Sequence, residues 1–190
     1  MKKIVIIGPE STGKSTLSGQ LADYYKTIWV PEYAREFLHT HGRNYTYEDL
    51  LTIAKGQISL EEKYFSFSGD GPTGNRKSNQ QPPGKNKLLF IDTDMYVMKV
   101  WCEFVFNRCH HWIINAIVER SYDLYLLCNI DLPWVNDELR EYPDIETRKK
   151  LFNMYKDILI NQSTPWTEIS GNYQMRLKTA IHEVDRLGFS

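Results

Sequence analysis

Eight residues, Gly8-Pro9-Glu10-Ser11-Thr12-Gly13-Lys14-Ser15, stand between an apolar run, Lys3 to Ile7, and a stretch of helical period that begins at Lys14. They spell GxxxxGK[ST], and a strand-to-helix setting is what that motif requires. A chain leaving a strand here can wrap backbone N–H groups round phosphates, then enter a helix whose N-terminal dipole also favours anions. In this reading Gly8, Glu10, Ser11, Thr12, Gly13, Lys14, Ser15 and Thr16 surround the phosphates of ATP. Lys14 reaches the β- and γ-phosphates as a point charge, and the Ser15 hydroxyl is placed to coordinate Mg2+. Thr16 stands at the margin of the set, because its place on the helix also suits packing. Glu10 is out of keeping, since a carboxylate facing phosphates repels them. It is expected to point elsewhere, towards Arg35 or a substrate hydroxyl.

Such a loop needs a sheet to carry it. Apolar, β-branched runs alternate along the chain with longer stretches of helical period, the pattern of a parallel sheet with helical crossovers. Strands are predicted at Lys3–Ile7, Thr27–Val30, Lys87–Ile91, Asp123–Cys128 and Thr167–Ile169. Helices are predicted at Lys14–Tyr25, Ala34–His39, Tyr47–Phe67, Met95–Phe106, Trp112–Glu119, Ile145–Ile160 and Tyr173–Leu187. The fold class is α/β: a three-layer sandwich with about five parallel strands and helices on both faces. Thr46, followed three residues later by Asp49, resembles a capping box with Asp in place of Glu or Gln. A length of 190 residues suits one domain, residues 1–190. Within it, Ser66 to Asn86 is rich in Gly, Pro, Ser, Asn and Gln and nearly free of apolar residues, so a flexible surface insertion is expected there.

Charge bounds the ligand. With 23 Lys+Arg against 24 Asp+Glu the formal net charge is -1, which leaves no global excess to hold a nucleic acid. A small-molecule substrate bound by local charges is expected instead. The three cysteines Cys102, Cys109 and Cys128 are odd in number and lack a CxxC pair, which fits a reducing, cytoplasmic setting. Cys102, Cys109, His110 and His111 match no standard zinc spacing. The apolar run Ile4 to Ile7 is too short for a signal-peptide core, and no run approaches a membrane span.

Phosphoryl transfer needs more than a phosphate loop. A metal-linked carboxylate should follow an apolar strand, and Asp92, directly after LLFI, fits. Asp94 is close enough to share that site or to accept a hydrogen bond from a substrate hydroxyl; either aspartate could instead be a helix N-cap. The second predicted strand ends in Val30, Pro31 and Glu32, placing a carboxylate at the edge where open α/β sheets bind ligands. Glu32 is the candidate base that accepts the proton of an attacking hydroxyl. Arg35, one helical turn on, could hold Glu32 ionised or touch a phosphate, or the two could form an ordinary surface pair. After the fourth strand, Arg140 and Arg148 could arrive on a closing segment and neutralise charge on the transferred group, or line a solvated helix face. Trp29, Tyr33, Tyr45, Trp101 and Trp134 are the aromatic residues near these loops that could stack on a planar ring.

Taken together, GPESTGKST (8–16), VPEYAREF (30–37), YTYEDLLTIAKGQ (45–57), FIDTD (90–94) and LPWVNDELRE (132–141) resemble the ribosylnicotinamide kinase family, the C-terminal kinase domain of NadR. The resemblance covers roughly Met1 to Phe65 and Lys87 to Gly188. It implies a P-loop kinase fold and transfer of the γ-phosphate of ATP to the ribose 5′-hydroxyl of nicotinamide riboside, giving nicotinamide mononucleotide. Glu32, Arg35, Asp92, Asp94, Trp134, Arg140 and Arg148 fall on matching positions. One departure concerns the acceptor: where the pattern has an aromatic residue before the glutamate, this chain has Pro31. Transcriptional regulation is not implied, because the resemblance is to the kinase part alone. The same parts would serve another nucleoside or small alcohol. A regulatory ATPase is the remaining alternative, though a GTPase-type switch would need NKxD and DxxG segments, and Asp92 is followed by Thr93, Asp94 and Met95.

Overall fold

The computed structural model describes residues 1–67 and 88–188. The elements run β1 (Lys2–Ile7), α1 (Lys14–Tyr25), β2 (Ile28–Val30), α2 (Tyr33–His41), α3 (Tyr47–Phe67), β3 (Leu88–Asp92), α4 (Met95–Phe106), α5 (His111–Glu119), β4 (Leu124–Cys128), α6 (Ile145–Ile160), β5 (Trp166–Ile169) and α7 (Tyr173–Asp185). Ser66 and Phe67 end α3; the rest of the polar segment expected as an insertion lies outside the described residues. Thr46 and Asp49 do form a reciprocal box at the start of α3. The Thr46 N–H donates to Asp49 Oδ2 at 2.7 Å, and the Asp49 N–H donates to Thr46 Oγ1 at 3.3 Å.

All strand pairs are parallel, in the order β2-β3-β1-β4-β5. Alternation of side chains across the pleat sorts the central strands into two apolar layers. Ile4, Ile6, Phe90, Leu124 and Leu126 pack on Leu17 and Leu21 of α1 and on Ala180 and Val184 of α7. Val5, Ile7, Leu89, Ile91 and Leu127 pack on Val97 and Val100 of α4 and on Leu151, Phe152 and Tyr155 of α6. With both faces covered, β3 and β4 are buried along their whole length, which is why their sequences read as unbroken apolar runs.

Strand order also fixes where a ligand fits. From β1 the chain crosses to β2 on one side, and from β3 it crosses to β4 on the other. The two crossovers diverge at the carboxyl ends of β1 and β3, the switch point where such sheets open a crevice. Ile6 pairs with Asp92 in register, so the residues after Ile7 and the carboxylate of Asp92 share that crevice.

A third apolar cluster, including Ala34, Phe37, Leu38, Leu50, Ile53, Met98 and Ile113, joins α2, α3, α4 and α5. Gly56 is what lets α2 approach α3. A Cβ there would lie 2.1 Å from Tyr33 Cε1. Glycine to alanine inside a helix ordinarily gains up to about 1 kcal/mol, but overpacking of this kind costs about 1–3 kcal/mol. Gly56→Ala is therefore expected to lower the melting temperature by several degrees, and a rise would contradict this packing.

Candidate active site

The phosphate loop is built to receive an anion. Gly13 is the N-cap of α1 at φ 78 and offers no side-chain cap, so the first amides of the helix are open to a ligand. Thr12 Oγ1 and Lys14 Nζ both donate to the Pro9 carbonyl, at 2.7 and 3.0 Å, which folds the loop on itself. Behind it stands Arg176 of α7, which the sequence did not single out. Its buried guanidinium donates to the carbonyls of Thr12, Asn129 and Gly171 and to the Asp131 carboxylate.

Across the crevice, Ser15 Oγ donates to Asp92 Oδ2 at 2.5 Å. Asp92 is fully buried, and its Oδ1 has no hydrogen-bond partner among the described residues. Burial, with the nearby Glu32 carboxylate, pushes the Asp92 carboxyl up to about 7, against the opposing pull of Lys14 and the Ser15 hydrogen bond. A hydroxyl and a buried carboxylate with one oxygen unmatched suit a hard, oxygen-seeking divalent cation such as Mg2+.

Gln57 of α3 sets the neighbouring carboxylate. Its Oε1 accepts from the Tyr33 N–H at 2.7 Å, and its Nε2 donates to the carbonyls of Pro31 and Asp92 at 3.3 and 3.4 Å. The ends of β2 and β3 are thereby tied together, and Glu32 is held beside Asp92. Glu32 is the N-cap residue of α2, yet its side chain makes no cap bond; it lines the cleft instead.

The segment between β4 and α6 covers the loop. The Val135 N–H donates to Ser11 Oγ at 3.0 Å, and the N–H groups of Glu141 and Tyr142 donate to the Glu10 carboxylate at 2.9 and 2.5 Å. This answers the puzzle of Glu10 differently from expectation: it fastens the covering segment, and it does not meet Arg35. Burial raises the Glu10 carboxyl despite these two donors. Arg35 pairs with Asp137 Oδ2 at 2.6 Å rather than with Glu32, although it still lines the cleft.

Several of the remaining expectations change. Asp94 turns inward: its Oδ1 accepts from the N–H groups of Tyr96 and Val97, capping α4, and its Oδ2 accepts from Tyr125 Oη at 2.9 Å. With those oxygens engaged and only 2% exposure, it is a buried helix cap and not a substrate contact. Tyr33 packs its ring over Gly56, while Trp29 packs beneath the sheet against the α1 and α7 layer. Trp134 sits between Arg140 and Arg148, their guanidinium carbons 6.0 and 5.6 Å from the ring centroid. Arg140 lines the cleft and donates to the Val135 carbonyl. Arg148 is buried, donates to the Leu132 carbonyl at 3.4 Å and leaves its Nε without a partner among the described residues; it does not stand on a solvated face.

The same cleft is also lined by apolar and aromatic side chains, Leu38, Tyr45, Val100, Trp101, Phe104 and Tyr155 among them. Trp101 Nε1 donates to Tyr45 Oη, and Tyr45 Oη donates to Glu141 Oε2, each at 2.9 Å. Tyr155 and Phe104 had no sequence signal beyond helical apolar periodicity.

A family profile described as AAA domain matches residues 3–176. The chain belongs to that family. Two curated relatives are each named trifunctional NAD biosynthesis/regulator protein NadR. The Escherichia coli protein is 29% identical over 163 residues, covering 84% of this chain and 36% of the relative. The Salmonella typhimurium protein is 28% identical over 192 residues, covering 98% and 43%. The chain thus spans less than half the length of these relatives. Among solved structures, NadR protein in complex with NR superposes over 100% of this chain and 50% of its own, with a TM-score of 0.77 at 20% identity. Thymidylate kinase from Ehrlichia chaffeensis covers 97% of this chain and 98% of its own, with a TM-score of 0.63 at 14% identity. The fold is therefore that of the P-loop kinases, and the chain is similar to part of the NadR relatives. Among the described residues no helix is long and apolar enough to cross a membrane.

Proposed function

We propose that this ATP-dependent kinase takes nicotinamide riboside as its acceptor and phosphorylates the ribose 5′-hydroxyl to give nicotinamide mononucleotide. The observation that carries the reading is one cleft lined by both the phosphate loop, whose neighbour Ser15 bonds Asp92, and a set of aromatic side chains, with Glu32 among the lining residues. The solved NadR structure with NR, similar over the whole of this chain, supports the choice of riboside.

In this reading Lys14 leaves the Pro9 carbonyl for the β- and γ-phosphates, and the open amides of α1 hold the remaining oxygens. Glu32 accepts the proton of the 5′-hydroxyl as the oxygen attacks. Arg140 approaches the transferred group from the covering segment, and Arg148, in the first turn of α6 beside Trp134, has its Nε still to be matched. Ser15 and Asp92 would hold Mg2+, which when bound neutralises charge on the phosphate oxygens. Alignment of the hydroxyl with the phosphorus supplies much of the remaining rate.

Coupled ADP release against a panel of ribosides tests the assignment: strong stimulation by nicotinamide riboside over a low acceptor-free rate is expected, and equal rates with and without any acceptor would rule out the kinase reading. A pH dependence follows as well. The folded-state Asp92 carboxyl sits near 7, above its ordinary 3.8, so its contribution to ligand-free stability is full below 3.8 and is lost as pH rises through about 7. Asp94, also pushed to about 7 by burial, adds to the same loss. Cation binding requires ionised Asp92. The rise in melting temperature on adding Mg2+ with a non-hydrolysable ATP analogue should therefore be larger at about pH 8 than at about pH 6. An equal rise at both would contradict a metal role for Asp92.

A further inference from the structure

The cleft carries a carboxylate to which the proposed phosphoryl transfer gives no part. Glu141 lines the cleft from the covering segment, half-buried. Its neighbours are engaged elsewhere: Asp137 with Arg35, and Glu138 with His39. Glu141 forms no ion pair with a cation among the described residues; its Oε2 instead accepts from Tyr45 Oη at 2.9 Å. Tyr45 in turn accepts from Trp101 Nε1, and the two rings meet edge-on with centroids 4.9 Å apart. Burial, reinforced by the Glu141 charge, holds the Tyr45 phenol protonated, so it remains a donor to Glu141.

The backbone of Glu141 is equally fixed, its N–H bonded to both oxygens of Glu10 in the phosphate loop. The Glu141 backbone is thus fixed by Glu10 and its carboxylate by the Tyr45 hydroxyl, in a cleft that Tyr45 and Trp101 also line. Of the cations that line the cleft, Arg35 is already paired, Lys14 rests on the phosphate loop and Arg140 donates to a carbonyl. A fixed negative charge in a partly desolvated cleft that aromatic side chains also line attracts a planar cation on both counts.

We propose that Glu141, positioned by Tyr45 and Glu10, is a specificity residue that selects acceptors carrying a cationic aromatic ring over neutral ones of the same shape. The inference rests on the riboside reading of the cleft and sharpens it. Nicotinamide riboside carries a quaternary pyridinium nitrogen, whereas the C-riboside of benzamide has the same outline and carboxamide without the charge.

The test compares kcat/KM for these two ribosides in the wild type, in Glu141→Gln and in Tyr45→Phe. The wild type is expected to prefer the cation by about tenfold or more. Glutamine keeps an oxygen to accept from Tyr45 and leaves the backbone bonds to Glu10 intact, so folding is preserved. Glu141→Gln should raise KM for nicotinamide riboside by about tenfold while leaving kcat, KM for ATP and KM for the neutral riboside within about twofold. Tyr45→Phe, which frees the carboxylate without removing it, should give a smaller loss of the same preference. A wild type without preference, or a Glu141→Gln variant that keeps it, overturns the role of Glu141 alone. A wild type that phosphorylates neither riboside overturns the acceptor assignment and this inference with it.

Discussion

Glu32→Gln is expected to lower kcat with nicotinamide riboside by about 10²–10⁴, the usual worth of a positioned general base, with ATP affinity held within about twofold. The separation of the two effects comes from geometry. Glu32 reaches the cleft from the end of β2, where Gln57 ties the backbone on either side of it, and its side chain takes no part in capping α2. Glutamine fills the same space but cannot accept a proton at neutral pH. The substitution has a second, opposite consequence. The Glu32 charge is one of the causes that raise the Asp92 carboxyl, so its removal leaves Asp92 more fully ionised at neutral pH and should not weaken Mg2+-nucleotide binding. A variant with near-normal kcat would remove Glu32 from the chemistry.

Lys14→Ala should reduce kcat/KM by about 10²–10³ or more, because a charged donor aimed at developing phosphate charge in a confined site is worth several kcal/mol. Here the loss reaches beyond one contact. Lys14 also counters the burial of Asp92 and Glu10. Without it, both carboxyls should be harder to ionise, metal binding should shift to higher pH, and ATP affinity should fall along with the rate. Isothermal titration with the non-hydrolysable analogue, run beside steady-state assays, separates the two losses. Retained turnover in Lys14→Ala would place the phosphates elsewhere.

Much of the fold was legible because the core is regular. Every strand lies within one residue of the span expected from its apolar run, and α1, α3, α4 and α6 agree at both ends, since buried parallel strands and amphipathic crossovers each leave a periodic trace. The meeting of the phosphate loop, Ser15, Glu32 and Asp92 also followed from sequence order, because all lie at carboxyl ends of strands near one switch point.

What could not be read was the direction of individual side chains. Asp92 and Asp94 look interchangeable in FIDTD. Yet Thr93 takes φ 78 and the chain turns, so that one carboxylate opens on Ser15 and the other caps α4. Glu10 appeared misplaced because its partners are backbone amides 131 and 132 positions away, which carry no sequence signal. Arg176 was missed because most of its partners are backbone carbonyls and it has no motif, and Gln57, although it closes the YTYEDLLTIAKGQ segment, drew no role because its partners are backbone groups. Gly56 was visible as a glycine inside a helical stretch, a pattern that marks close approach of another element. That clue would have assigned Tyr33 to packing.

The most direct measurement is 31P NMR of the products formed from ATP, Mg2+ and nicotinamide riboside. The account expects one 5′-phosphomonoester of the riboside for each ADP, with little inorganic phosphate. Inorganic phosphate equal to ADP, with the riboside unchanged, would contradict it.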